Sequence, residues 1–379
     1  MLLFLKVMKL LTSTLRTCSR LKLRTMSTAT SPQDEVLFQV HNKVGVITLN
    51  RPKALNALNL PMAKSIYAQL QEWENSLKAV IIEGSGGKAF CAGGDIRTIT
   101  SLPKGSAEQG GFFYNEYFLN HLIGTYKIPY VALIDGITMG GGVGLSVHAP
   151  YRVATSKTLF AMPETGIGLI PDVGGSYFLP RLEGELGTFL ALSGHRLKGS
   201  DCLHAGIATH ACNDKAALKN DLLAAENKED VEAILEKHSE EFDEAAFTLE
   251  DKLPLIDECF KENTVEDILK NLRNVRDDND WSKKLAVTME KMSPTSMKVT
   301  LQMCRRGKEL SLKDCLAMEY RLVRRCCEDS DFYEGVRALL VDRDNQPKWS
   351  PPHLDQVDQK VVERYFSQLP PDEELKIAR

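Results

Sequence analysis

Two carboxylates, Glu164 and Asp172, sit in the run FAMPETGIGLIPDVGG (160–175), which has no lysine or arginine and otherwise reads as buried loop and turn. Burying a carboxylate is costly unless it is paired or hydrogen-bonded. Two carboxylates held close together disturb each other's proton affinity, an arrangement common in acid–base catalysis. The same residues also fit a plainer role, with Glu164 capping a helix and Asp172 opening a turn before Gly174 and Gly175. On this stretch alone both readings stand.

Two glycine-rich segments bear on the choice. CAGGD (91–95) and MGGGVG (139–144) each follow an apolar, strand-like run, AVIIEG (79–84) and PYVALIDGIT (129–138). Glycine lets a backbone approach a ligand closely and leaves its N–H uncovered. Two such turns aimed at one oxygen would form an oxyanion hole, each donor contributing about 3–4 kcal/mol. Taken singly, each turn is equally well explained by tight chain reversal or close helix–strand packing. Both together, followed by two acids in an apolar run, favour a site.

Other chemistries fit poorly. GSGGKAF has Ala89 where a phosphate-binding loop needs Ser or Thr, and MGGGVGLS does not match the dinucleotide fingerprint. VGLSVH places His148 where a nucleophile elbow needs its final glycine, which argues against Ser146 as a nucleophile. The nine cysteines form no CxxC pair and no His spacing suggests zinc, so no metal is expected and reduced thiols fit best. A net charge of −4 gives no sign of nucleic-acid binding. His121 and His148 read as core or surface histidines, and Cys91 as a small packing residue.

The elements that must position these residues alternate in period. VGVITLN (44–50) is a strand ending at Arg51–Pro52. Met62, Ile66, Leu70 and Trp73 recur at helical spacing after Pro61, a residue suited to a first turn. A further helix is expected near 110–126, and RVATSKTLFAM is β-like. Strands alternating with helices predict an α/β fold with mainly parallel pairing. Beyond about residue 213 the pattern becomes charged and helical, and Ser311 with Asp314 resembles a capping box. The expected organisation is a core over 34–230 carrying the site, with a helical C-terminal region over 231–379 packed on it.

Residues 1–33 differ from the rest. They hold Lys6, Lys9, Arg16, Arg20, Lys22 and Arg24, many Ser and Thr, and no acid. That composition predicts a mitochondrial transit peptide and a matrix location. Lys6 and Lys9 interrupt the apolar run a secretory signal would need, and the run is too short for a membrane span of about 20 residues.

AFCAGGDI (89–96) followed by ITMGGGVGLS (137–146) resembles the paired oxyanion-hole motifs of the crotonase (enoyl-CoA hydratase/isomerase) superfamily, and LNRPKALNALN (49–59) resembles its first strand and CoA-binding turn. The resemblance implies a spiral of ββα units with a helical C-terminal region and an acyl-CoA substrate. It also implies no separate cofactor, no membrane or nucleic-acid partner, and a possible homo-oligomer. By position, the amides of Gly94 and Gly141 would hold the thioester oxygen, while Lys53, Ala54, Leu55, Ala92, Asp95 and Ile96 would line the CoA path. Glu164 matches the second glutamate of the hydratases, whereas the first is replaced by Gly144. Asp172 is an added acid. MPETGIGLIPDVGG, FFYNEYFLN (112–120) and DFYEGVRALLVDRDNQPKW (331–349) resemble the thioester-hydrolase branch of the superfamily, in which Glu116, Gly141, Glu164 and Asp172 would contact substrate. Without that resemblance Glu116 reads as a solvated helix-face residue. A hydratase or isomerase of the same fold and a catalytically silent CoA binder are the alternatives.

Overall fold

The computed structural model describes residues 35–239 and 247–378. The expected transit peptide, 1–33, lies outside the described residues. An antiparallel hairpin of β1 (Val36–His41) and β2 (Val44–Leu49) starts the fold. Three consecutive strand pairs follow: β3 (Ala79–Gly84) with β4 (Ala89–Cys91), β5 (Tyr130–Ile134) with β6 (Ile137–Met139), and β7 (Tyr151–Ala154) with β8 (Leu159–Ala161). Each pair gives one strand to each of two sheets. β9 (Leu197–Lys198) and β10 (His210–Ala211) complete the sheet orders β4-β6-β8-β9 and β1-β2-β3-β5-β7-β10. Apart from β1–β2 and β8–β9, all pairings are parallel.

The chain turns from one sheet to the other at glycines in the first two strand pairs and through Thr155–Thr158 in the third. PYVALIDGIT, read from sequence as one strand, breaks at Asp135–Gly136 into β5 and β6. Gly136 has φ +88°, and a Cβ there would lie 2.5 Å from the Lys88 carbonyl oxygen, so glycine is required. An apolar run carries no sign that it serves two sheets.

Helices follow the strands. α1 (Leu60–Trp73) follows the hairpin, α2 (Ile96–Ser101) and α3 (Ala107–Gly124) follow β4, and α4 (Gly141–Gly144) follows β6. α5 (Gly175–Phe178) and α6 (Leu186–Ser193) come after β8, and α7 (Ser200–His204) lies between β9 and β10. The C-terminal helices are α8 (Lys215–Leu222), α9 (Lys228–His238), α10 (Leu253–Phe260), α11 (Val265–Asn274), α12 (Trp281–Met289), α13 (Pro294–Gly307), α14 (Leu312–Glu328), α15 (Asp331–Val336) and α16 (Gln359–Phe366).

Local chemistry accounts for the helix starts. Asn59 caps α1 by accepting from Met62 N at 3.0 Å. Met62, Ile66, Leu70 and Trp73 then bury one face, each contributing about 1.5–3 kcal/mol. Ser311 caps α14, accepting from Asp314 N and donating its hydroxyl to Asp314 Oδ2 at 2.6 Å.

The larger sheet is covered on both faces, which explains its continuous apolar strands. Val80 and Ile82 of β3 join the main cluster, which extends from Val36 to Ile377. Ile81 between them joins a second cluster with Val131, Val153, Leu218, Leu222, Val231 and Leu235, so α8 and α9 cover that face. α3 packs between α1 and α14. This position brings α3's polar residues to the end of the smaller sheet.

Candidate active site

The two glycine turns meet. Leu58 N–H donates to Gly93 O at 2.8 Å and Asp95 N–H to Leu58 O at 2.7 Å, fixing the turn after β4. A Cβ placed on Gly141 would lie 3.3 Å from Gly94 N and 2.5 Å from Glu116 Oε1, so the first residue of α4 faces both. Among the described residues the Gly94 and Gly141 amides donate to no backbone or side-chain acceptor. Gly141 is the first residue of α4, where amides have no partner within the helix. Gly140, at φ +46°, presents its Cβ position 3.0 Å from Glu164 Oε1.

Three buried carboxylates surround these turns. Glu164 begins the short 3-10 turn after β8 without capping it, and is 5% exposed. That turn is held from outside: Ser293 N–H donates to Thr165 O at 3.0 Å, and α15 packs on it so closely that Gly168 and Gly335 admit no side chain. Asp172 is 4% exposed and accepts the Tyr117 phenol hydrogen at 2.7 Å. Its own carbonyl closes the expected turn by accepting from Gly175 N–H at 2.9 Å. Glu116 is 2% exposed, so the solvated-face reading of α3 is corrected: its position between two packed helices leaves this residue no water.

Burial shapes their proton affinities. Desolvation, then the charges of Asp172 and Glu164, push the Glu116 carboxyl well above its usual range. Glu164 is raised by burial and by the Asp172 charge. Asp172 is pushed up to about 6 by burial, against the opposing effect of the Tyr117 hydrogen bond. Such a group titrates as a unit, and carboxyls whose proton affinities are raised in this way are suited to acid–base roles.

The turn carrying Asp172 is strained and braced. Val173 adopts φ +54°, uncommon for a β-branched residue. His148 Nε2–H donates to the Val173 carbonyl at 2.7 Å, and burial lowers this imidazole to about 4, keeping it neutral at pH 7. Glu319 of α14, fully buried, accepts from Gly174 N at 2.7 Å, Ser176 N at 2.8 Å and Ser176 Oγ at 2.5 Å. Neither Tyr117 nor Glu319 was singled out from sequence, because their partners lie 55 and more than 140 residues away.

The residues expected along a CoA path form a partly open strip. Lys53 and Ala54 are exposed, while Leu55, Ala92, Asp95 and Ile96 are half-buried. Ala92 N–H donates to Leu55 O at 3.0 Å, joining the two segments. Leu55 and Asn56 both adopt positive φ, and buried Asn56 holds that turn by donating to Ser85 O and Ala89 O. Asp95 caps α2 through Thr98 N at 3.3 Å and pairs with Arg51 at 3.0 Å. Cys91 is a fully buried packing residue whose thiol burial pushes up to about 12. Among the described residues no group of three His, Cys, Asp or Glu is arranged to hold a metal ion, and no helix is long and apolar enough to cross a membrane.

Residues 44–366 match the family model described as enoyl-CoA hydratase/isomerase. The chain belongs to this family. Two curated relatives are mitochondrial 3-hydroxyisobutyryl-CoA hydrolases. That of Danio rerio is 52% identical over 345 residues, 88% of this chain and 90% of the relative. That of Homo sapiens is 50% identical over 354 residues, 91% of each chain. Among solved structures, a carnitinyl-CoA dehydratase from Mycobacterium thermoresistibile superposes with a TM-score of 0.83 at 40% identity, covering 90% of this chain and 98% of that one. An enoyl-CoA hydratase from Rhodobacter sphaeroides superposes at 0.79 and 32% identity, covering 90% and 100%. The fold is therefore the enoyl-CoA hydratase/isomerase fold. At Gly144 a Cβ would lie 2.6 Å from Asn120 Nδ2 and 2.7 Å from Val173 Cβ, leaving no space for a glutamate.

Proposed function

We propose that the chain hydrolyses the thioester of 3-hydroxyisobutyryl-CoA to 3-hydroxyisobutyrate and CoA, a step of valine degradation, in the mitochondrial matrix. The observation that carries this reading is the placement of Glu164 and Asp172, buried together, beside two glycine turns with unengaged amides. The hydrolase names of relatives about half identical over most of the chain support it.

The Gly94 and Gly141 amides receive the carbonyl oxygen as it becomes an oxyanion. Glu164 acts as general base or as nucleophile. As base, it takes a proton from water while the water oxygen bonds to the thioester carbon. The tetrahedral intermediate then expels the CoA thiolate, and the proton returns to sulfur. Asp172 orients the water or the substrate hydroxyl and keeps the proton affinity of Glu164 in a useful range. Glu116 contacts the acyl end, and Lys53, Ala54, Leu55, Ala92, Asp95 and Ile96 line the path of the CoA. The reaction as written uses no metal or redox cofactor.

The second reading, hydration of an enoyl-CoA, is favoured by the names of the two solved relatives and disfavoured by the crowding at Gly144. The full chain should release CoA thiol from 3-hydroxyisobutyryl-CoA and hydrate crotonyl-CoA poorly. Hydration of crotonyl-CoA without thiol release from the hydroxy ester would overturn the hydrolase reading.

A further inference from the structure

Among the described residues, six buried side-chain polar atoms have no hydrogen-bond partner, and four of them belong to Glu116, Asn120 and Glu164. Asn120 is the extreme case. It is fully buried, and neither its amide oxygen nor its amide nitrogen is engaged. Leaving both groups unpaired is unfavourable, and an apolar residue of that shape would be more stable there. A residue that costs stability in this way points to a partner that arrives from outside.

The location narrows the partner. α3 and α4 run past one another in step. Gly141 faces Glu116, and one turn on, Gly144 faces Asn120. The step from Gly141 to Gly144 is about 4.5 Å along a helix axis. In a 3-hydroxyacyl thioester the hydroxyl oxygen is three bonds from the carbonyl carbon. With the thioester oxygen at the Gly94 and Gly141 amides, an acyl chain running along α4 would bring its hydroxyl to Asn120. An alcohol both donates and accepts a hydrogen bond, and the unengaged amide offers one acceptor and two donors. Val173, whose Cβ faces the same point at Gly144, forms an apolar wall beside this amide.

We infer that Asn120 is a specificity-determining residue that binds the 3-hydroxyl group of the acyl chain and so selects hydroxyacyl-CoA over the corresponding deoxy thioester. This rests on the hydrolase reading above. A site built to hydrogen-bond a hydroxyl discriminates strongly against the analogue lacking it, because its own polar groups are then left unpaired.

The test compares CoA release from 3-hydroxyisobutyryl-CoA and isobutyryl-CoA by the full chain and its Asn120→Leu variant. The expected result is that the wild-type preference for the hydroxy ester, as a ratio of kcat/KM values, falls about 10-fold or more in the variant. Turnover of isobutyryl-CoA should stay within a few-fold, and the thermal midpoint should hold or rise. An unchanged ratio, or an equal loss on both esters, would overturn the inference. If Asn120→Leu does not fold, Asn120→Ala gives the same ratio. No CoA release from the hydroxy ester by the wild type would instead overturn the underlying hydrolase reading, a failure visible before any variant is compared.

Discussion

Tyr117 donates its phenol hydrogen to Asp172 Oδ2 across 2.7 Å, joining the middle of α3 to the turn that leads into α5. Both groups are buried, and among the described residues this is the one side-chain hydrogen bond that supports the Asp172 carboxylate against its desolvation. Tyr117→Phe removes it. The proton affinity of Asp172 then rises, and the acidic limb of the kcat/KM pH profile moves to higher pH. Stability falls by about 1–3 kcal/mol. A limb that stays in place would show that Asp172 does not govern the profile.

The three buried carboxyls also set a pH dependence of stability. The Asp172 carboxyl is raised from 3.8 to about 6 on folding, so the folded state binds that proton more tightly. Stability is therefore fully present below pH 4 as far as this group is concerned, and is lost as pH rises towards and through 6. Asp172→Asn should stabilise the chain by about 3 kcal/mol above pH 7 and by little near pH 4. Denaturant titrations at the two pH values check this. Equal effects at both would contradict the raised proton affinity.

Glu319 braces the same turn from the opposite side. Its carboxyl is pushed up to about 8 by burial, against three hydrogen bonds that favour its ionised form. Glu319→Ala leaves the Gly174 and Ser176 amides and the Ser176 hydroxyl without their acceptor. The expected loss is about 3 kcal/mol or more in denaturant unfolding, with kcat falling more than KM rises as the Asp172 turn relaxes. Glu319→Gln, which keeps the shape and one acceptor, should recover part of both.

Gly144 tests the division between the two chemistries of the family. Gly144→Glu inserts a side chain where the Cβ alone already meets Asn120 and Val173. Overpacking of this kind costs about 1–3 kcal/mol or more. The variant should be less stable and should not gain hydration of crotonyl-CoA. A stable variant that hydrates crotonyl-CoA would show that the space can open.

Much of this was legible in the sequence because it depends on neighbours along the chain. The β2 strand, the α1 stripe of Met62, Ile66, Leu70 and Trp73, and the Ser311–Asp314 cap follow from period and local side-chain chemistry. The split of PYVALIDGIT at Gly136 was not legible, since the clash that requires glycine comes from Lys88, on another strand pair. Glu116 read alone as a surface residue, because only α1 and α14 packed around α3 bury it. The bracing of Asp172 by Tyr117, His148 and Glu319 joins residues from α3, the segment after α4, and α14. No local pattern marks those contacts. Asp95 is a local case again: it caps α2 by accepting from Thr98 N, three residues on.

The central claim is that Glu164 performs the chemistry of thioester cleavage. Its most direct test is CoA release from 3-hydroxyisobutyryl-CoA by the full chain and by Glu164→Gln, with binding of the ester measured alongside. The predicted result is a fall in kcat of about 100- to 10,000-fold, with ester affinity within a few-fold of the wild type. An unchanged kcat would contradict the assignment of Glu164.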